Sequence, residues 1–100
     1  MMKQAFPLFS PDHIISLIKE QHPQRQDLIR AMKRCNSGQW ESPAYVHFVN
    51  RGRPNGEGSE WQFRESVVLE STEKGTIVLD ILKDDRIGGI EFVSRIDINL

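Results

Sequence analysis

At Pro43 the spacing of apolar residues changes from one near 3.6 to one of 2, and this switch restricts the available folds more than any other feature of the chain. Before it, Ile14, Ile15, Leu17 and Ile18, and then Leu28, Ile29, Met32 and Cys35, recur at helical spacing. After it, Tyr45, His47 and Val49 alternate with Val46, Phe48 and Asn50, and Ile77, Leu79 and Ile81 alternate with Val78, Asp80 and Leu82. Ser10-Pro11-Asp12 supplies a capping hydroxyl, a proline for the first helical position and a carboxylate for the positive helix end. A first helix is therefore expected to open there and to stop before Pro23. A second is expected over residues 24–36, with Gly38 placed to stop it.

In the strand half, Trp61, Phe63, Val67 and Leu69 share one parity, interrupted at Glu65, where a bend is expected. Residues 71–75 (STEKG) and Asp84-Asp85 have the composition of turns. Gly88 and Gly89 inside a strand mark a bulge, which would let Ile87 and Ile90 both be buried. Ile96, Ile98 and Leu100 alternate once more and are expected to extend that strand or edge the sheet. Short turns between successive strands require antiparallel neighbours. The expected fold is α+β, two N-terminal helices packed on an antiparallel β-meander of about four strands. One hundred residues, 38% hydrophobic, suit a single domain over 1–100 with one core.

Cys35 is the only cysteine, so no internal disulfide forms, and its place beside Met32 on the apolar stripe reads as packing. His13, His22 and His47 lack metal-ligand spacing, and no metal or cofactor is expected. Neither a signal-peptide core nor a run long enough to span a membrane occurs, which points to a cytoplasmic protein with no membrane partner. No nucleophile with an orienting base is legible, and Asp80, Asp84, Asp85 and Glu91 read as solvated turn carboxylates, so the chain is expected not to be an enzyme. The rival reading is a small enzyme using Cys35 or a carboxylate pair.

The net charge of −1 conceals a split. Residues 1–59 carry eight Lys/Arg against five Asp/Glu, or +3, and residues 60–100 five against nine, or −4. Opposite potentials steer encounter, so the acidic half, with Glu60, Glu65, Glu70, Asp84 and Asp85, suits a basic partner. No RNP-type run, zinc knuckle or dense basic stripe accompanies the aromatics, and direct nucleic-acid binding is not expected. Trp40, in the polar connector SGQWES, reads as an exposed aromatic anchor for a partner.

The segment NRGRPNGEGSEW (50–61) has three glycines and two arginines but lies between two strands. It therefore lacks the helix start that a phosphate-binding or dinucleotide loop needs. It is expected to be a long, mobile hairpin tip that offers Arg51, Arg53 and Glu57 to a protein surface.

Residues 74–92, KGTIVLDILKDDRIGGIEF, resemble the closing hairpin of small bacterial domains of uncharacterised function, in which an acidic turn separates a VLD strand from a G-I-E strand. Together with that hairpin, the plan of helices followed by sheet resembles the immunity proteins of bacterial contact-dependent growth inhibition systems. The resemblance implies a small cytosolic inhibitor that binds and neutralises the toxin domain of a delivered effector, often a nuclease, and needs no cofactor. A self-associating bacterial domain, pairing as a homodimer through an edge strand, is the alternative.

Overall fold

The computed structural model describes residues 10–35 and 38–96. Its elements are α1 (Pro11–Gln21), α2 (Gln26–Lys33), β1 (Gln39–Ser42), β2 (Tyr45–His47), β3 (Phe63–Ser71), β4 (Gly75–Leu82) and β5 (Ile87–Phe92), followed by a 3-10 turn at Val93–Arg95. The chain is α+β, with both helices N-terminal and every strand pair antiparallel.

The caps of α1 are those its sequence specifies. Ser10 Oγ accepts the His13 amide at 3.5 Å, Pro11 takes the first helical position, and the His22 amide closes the last turn on the Ile18 carbonyl at 2.7 Å. The second helix is shorter than its apolar stripe suggests. The Arg25 amide donates to the His22 carbonyl at 3.0 Å, which holds the Pro23-Gln24 turn outside the helix, and α2 ends at Lys33. Asn36 lies outside the described residues. Gly38 does not stop the helix; it stands just before β1, close against the side chains of Val46 and Phe48.

The sheet has five strands in the order β1-β2-β5-β4-β3, one more than expected. The added strand is β1, which comes from the supposed connector SGQWES and pairs Gln39 with His47 and Trp40 with Val46. Its four residues are too few to display a period, and the pairing arises only once β2 lies beside it. A meander describes only β3-β4-β5. Residues 48–62 do not turn β2 back on β3 but carry the chain past β5 and β4 to the far edge, about 14 Å away at normal strand spacing. That span is the physical reason for the length of the glycine-rich segment.

Helix α1 lies against β3 and α2 against β5. Ile14, Ile18, Leu28 and Met32 there meet Val46, Leu69, Ile77, Leu79, Ile81 and Ile90, all at 1% exposure or less. The parity of β4 is therefore as expected. Two bulges adjust it elsewhere. In β5, Asp80 pairs with Gly89 and Ile81 with Ile87, so Gly88 is the additional residue and both Ile87 and Ile90 are buried. In β3, the register shifts between Phe63 and Glu65, which places Phe63 opposite Leu82 and leaves it exposed instead of in the core. Ile96 follows the 3-10 turn and is exposed, while Ile98 and Leu100 lie outside the described residues.

Glu65, in step with Val67 and Leu69 beyond that bulge, stands on the helix side, where Arg25 binds it at 2.9 Å and Asp27 at 3.0 Å, tying the start of α2 to β3. The Arg25 guanidinium, by hydrogen bonding, holds both carboxyls below their usual range. A carboxyl whose folded pKa is depressed stabilises the protein above its unfolded pKa of about 4 and loses that contribution as pH falls through the folded value. The urea midpoint should therefore decline from about pH 5 downward, and Arg25→Met should make that decline shallower. Equal pH slopes in the two proteins would refute the linkage. The effect is modest because both carboxylates are partly solvated.

Candidate functional site

The helices cover one face of the sheet, and the other face carries the charges. Alternation along the paired strands fixes its rows. One crosses the sheet as Tyr45, Glu91, Val78 and Val68, the next as His47, Gly89, Asp80 and Ser66. Glu70 and Thr76 form a further cross-strand pair on this face, with the Thr76 hydroxyl donating to Glu70 Oε1 at 2.9 Å. Val68 is 47% exposed, and Val78 opposite it is half-buried, so an aliphatic pair sits among carboxylates.

Toward β1 this face hollows into a concavity of about 480 Å³ lined by Glu41, Ser42, Tyr45, Arg51, Asp80 and Glu91. The Tyr45 hydroxyl donates to Asp80 Oδ2 at 3.0 Å, and the Ser66 hydroxyl to Asp80 Oδ1 at 3.2 Å. Burial, reinforced by the Asp80 charge, raises the Tyr45 phenol, so it remains a proton donor at neutral pH. Asp80 thus accepts from two hydroxyls and has no ion-pair partner among the described residues. Among the described residues Glu91 has no ion-pair partner. Asp80 and Glu91 are strand residues facing this hollow, not the turn carboxylates that composition suggested.

The residues singled out by sequence fare differently from one another. Trp40 is no exposed anchor: it is half-buried, stacked on Phe92 with centroids 5.9 Å apart, and Arg95 covers both rings. Arg51 does not reach toward a partner. Its guanidinium lies between the Tyr45 and Trp61 rings, 5.4 and 5.1 Å from their centroids, and Nη1 donates to Glu41 at 3.1 Å. Arg53 and Glu57 do project from the loop, exposed and without a side-chain partner among the described residues.

The acidic turns are largely neutralised by their own chain. Arg86 holds Asp84 at 2.6 Å and Glu60 at 3.3 Å, Arg64 binds Asp85 and Glu65, and Arg25 takes Glu65 from the other side. Of the acidic residues proposed for contact, Glu70 alone sits on the helix-free face without a basic partner. Sequence missed Glu41, Tyr45, Asp80 and Glu91 as a group. The parity of β4 already put Asp80 opposite the core, but which strand would lie beside it was not legible.

The glycine-rich segment is bound down. Asn55 N–H donates to the Trp61 carbonyl at 2.7 Å, Asn55 Oδ1 accepts the Phe63 amide at 2.8 Å, and Gln62 Nε2 donates to Gly56 and Ser59 carbonyls. Trp61, Val49 and Leu82 make a second buried cluster beneath it, with Tyr45 alongside. This answers the expectation of a mobile tip: the segment straps the end of the sheet.

His22 and His47 donate ring N–H groups to the carbonyls of Val68 and Val49, His13 stands 3.3 Å from the Ser71 hydroxyl, and no group of three metal-ligating side chains occurs among the described residues. Cys35 lies buried and donates to the Ala31 carbonyl at 3.4 Å, and burial pushes its thiol up to about 12. At pH 8 folded Cys35 should react with a disulfide reagent at least ~100-fold more slowly than in denaturant, since the thiolate is the nucleophile. Fast labelling of the folded protein would revive a thiol enzyme. Among the described residues no helix is long and apolar enough to cross a membrane. Comparison with protein-family models, with curated proteins and with solved structures finds no match for this chain.

Proposed function

We propose that the chain is an inhibitor-type binding protein, of the immunity-protein kind its sequence resembles, which engages a basic toxin domain through the helix-free face of the sheet and performs no chemistry. One observation carries this reading: Glu70, Asp80 and Glu91 surround exposed Val68 and half-buried Val78, and no lysine or arginine of the described chain pairs with them. An aliphatic centre with an unneutralised acidic surround is the arrangement that desolvates at its middle and steers a basic partner at its rim. The turn carboxylates, already paired internally, contribute less.

The partner is sought as the C-terminal domain of a large secreted protein encoded immediately upstream. Calorimetry of the two purified domains should give a complex that weakens with salt. Val68→Asp and Glu91→Lys should each weaken it at least ~10-fold, whereas Asp84→Asn should change it less than ~3-fold. No heat of binding at micromolar concentration would sink the proposal. Equal losses from Asp84→Asn and Glu91→Lys would return the contact to the turns.

A further inference from the structure

We propose that the outer edge of β3 is a strand-pairing surface for a second copy of this chain, held shut by the last turn of α1. The inference stands apart from the inhibitor reading and does not depend on it. β3 is the longest strand, nine residues, and it ends the sheet, so one side of its main chain has no strand beside it. Such an edge is a template for another strand.

Side chains of α1 stand where that strand would be. Gln21 Oε1 accepts the Glu70 amide at 2.8 Å and Gln21 Nε2 donates to the Glu70 carbonyl at 2.7 Å, so one carboxamide completes both bonds that a neighbouring residue would make. His22 follows with a ring N–H on the Val68 carbonyl at 3.0 Å. Ser66, whose main chain faces the same way by alternation, has no such partner among the described residues. The cover is therefore partial, and it belongs to a helix end, where fraying is easiest.

The edge itself suits a copy of the same strand. In an antiparallel pair centred on Val67, Ser66 would face Val68 and Glu65 would face Leu69, so no like charges meet along the regular part of the strand, which begins after the bulge at Arg64. Val68 and Phe63, both exposed, add apolar surface beside it. A closed two-fold pair follows, because the same patch serves both partners.

The test replaces the cover. Wild-type protein should scatter light as one chain at about 100 µM, and the Gln21→Ala, His22→Ala double variant as two. Adding Val68→Pro should return the variant to one chain, since the Val68 amide points outward and its loss leaves the β4 ladder intact. Gln21→Ala alone should speed exchange of the Glu70 amide at least ~10-fold, which reads the cover without any pairing. A double variant that stays a single chain while that amide exchanges faster overturns the pairing surface. Unchanged Glu70 exchange, or a wild type that already pairs through this edge, overturns the lock.

Discussion

Trp61→Ala should destabilise the protein by about 3–5 kcal/mol, the usual cost of emptying a buried tryptophan site. In a domain of this size that lowers the melting temperature by roughly 15–30 °C. Trp61 is 4% exposed, and its ring packs against Leu82 and Val49 while lying over Gly88 and supporting the Arg51 guanidinium. Its main chain also closes the strap through Asn55. Removing the ring leaves Leu82 and the bulged part of β5 uncovered on the face where no helix can cover them. Trp61→Phe should recover most of the loss, because a smaller ring still fills the same contact. A thermal melt of Trp61→Ala within about 1 kcal/mol of wild type would mean that the strap stabilises nothing.

The second large effect is a coupling rather than a single loss. A Cβ on Gly89 would collide with the Tyr45 ring and hydroxyl, which lie across that glycine and are held by Asp80. Gly89→Ala should therefore cost about 2–3 kcal/mol in the wild-type background, from overpacking and a broken Tyr45–Asp80 bond. With Tyr45→Ala already in place the same substitution should be neutral or stabilise by up to about 1 kcal/mol, since alanine restricts the unfolded chain more than glycine does. Urea unfolding of the four proteins gives a double-mutant cycle, and additive effects would show that Tyr45 does not depend on the glycine. The cycle also bears on function, because moving Tyr45 frees Asp80 and reshapes the hollow beside Glu91.

The buried layer was legible because periodicity is a local property. Ile14 and Ile18, Leu28 and Met32, and Ile77, Leu79 and Ile81 are spaced so that one stripe or one strand face is apolar whatever lies opposite, and all of them are buried. The bulge at Gly88 was legible for a similar reason, since paired glycines inside a strand have few other uses. Phe63 failed because its parity is counted through the bulge at the start of β3, and one additional residue reverses the face. Trp40 failed because four residues of an edge strand carry no period, and Phe92, on which it stacks, lies far along the chain.

The candidate site was harder to read than the core. Glu60, Asp84 and Asp85 look free in sequence, but Arg86, in the same turn as Asp84, binds Asp84 and reaches Glu60, and Arg64 of β3 binds Asp85. Glu41, Tyr45, Asp80 and Glu91 come from different strands, and only the insertion of β5 between β2 and β4 makes them neighbours.

By itself the sequence determined the apolar stripe of each helix, the buried face of β4 and the turns at residues 71–75 and 84–85, since each depends on spacing, caps and backbone preference within a few residues. Tertiary structure alone decided that residues 48–62 cross the sheet's end, that Gln21 covers the β3 edge, and which of the described carboxylates find a basic partner. Charge neutralisation and strand order depend on contacts between distant segments, and no local pattern encodes the distance across which an arginine will find its carboxylate.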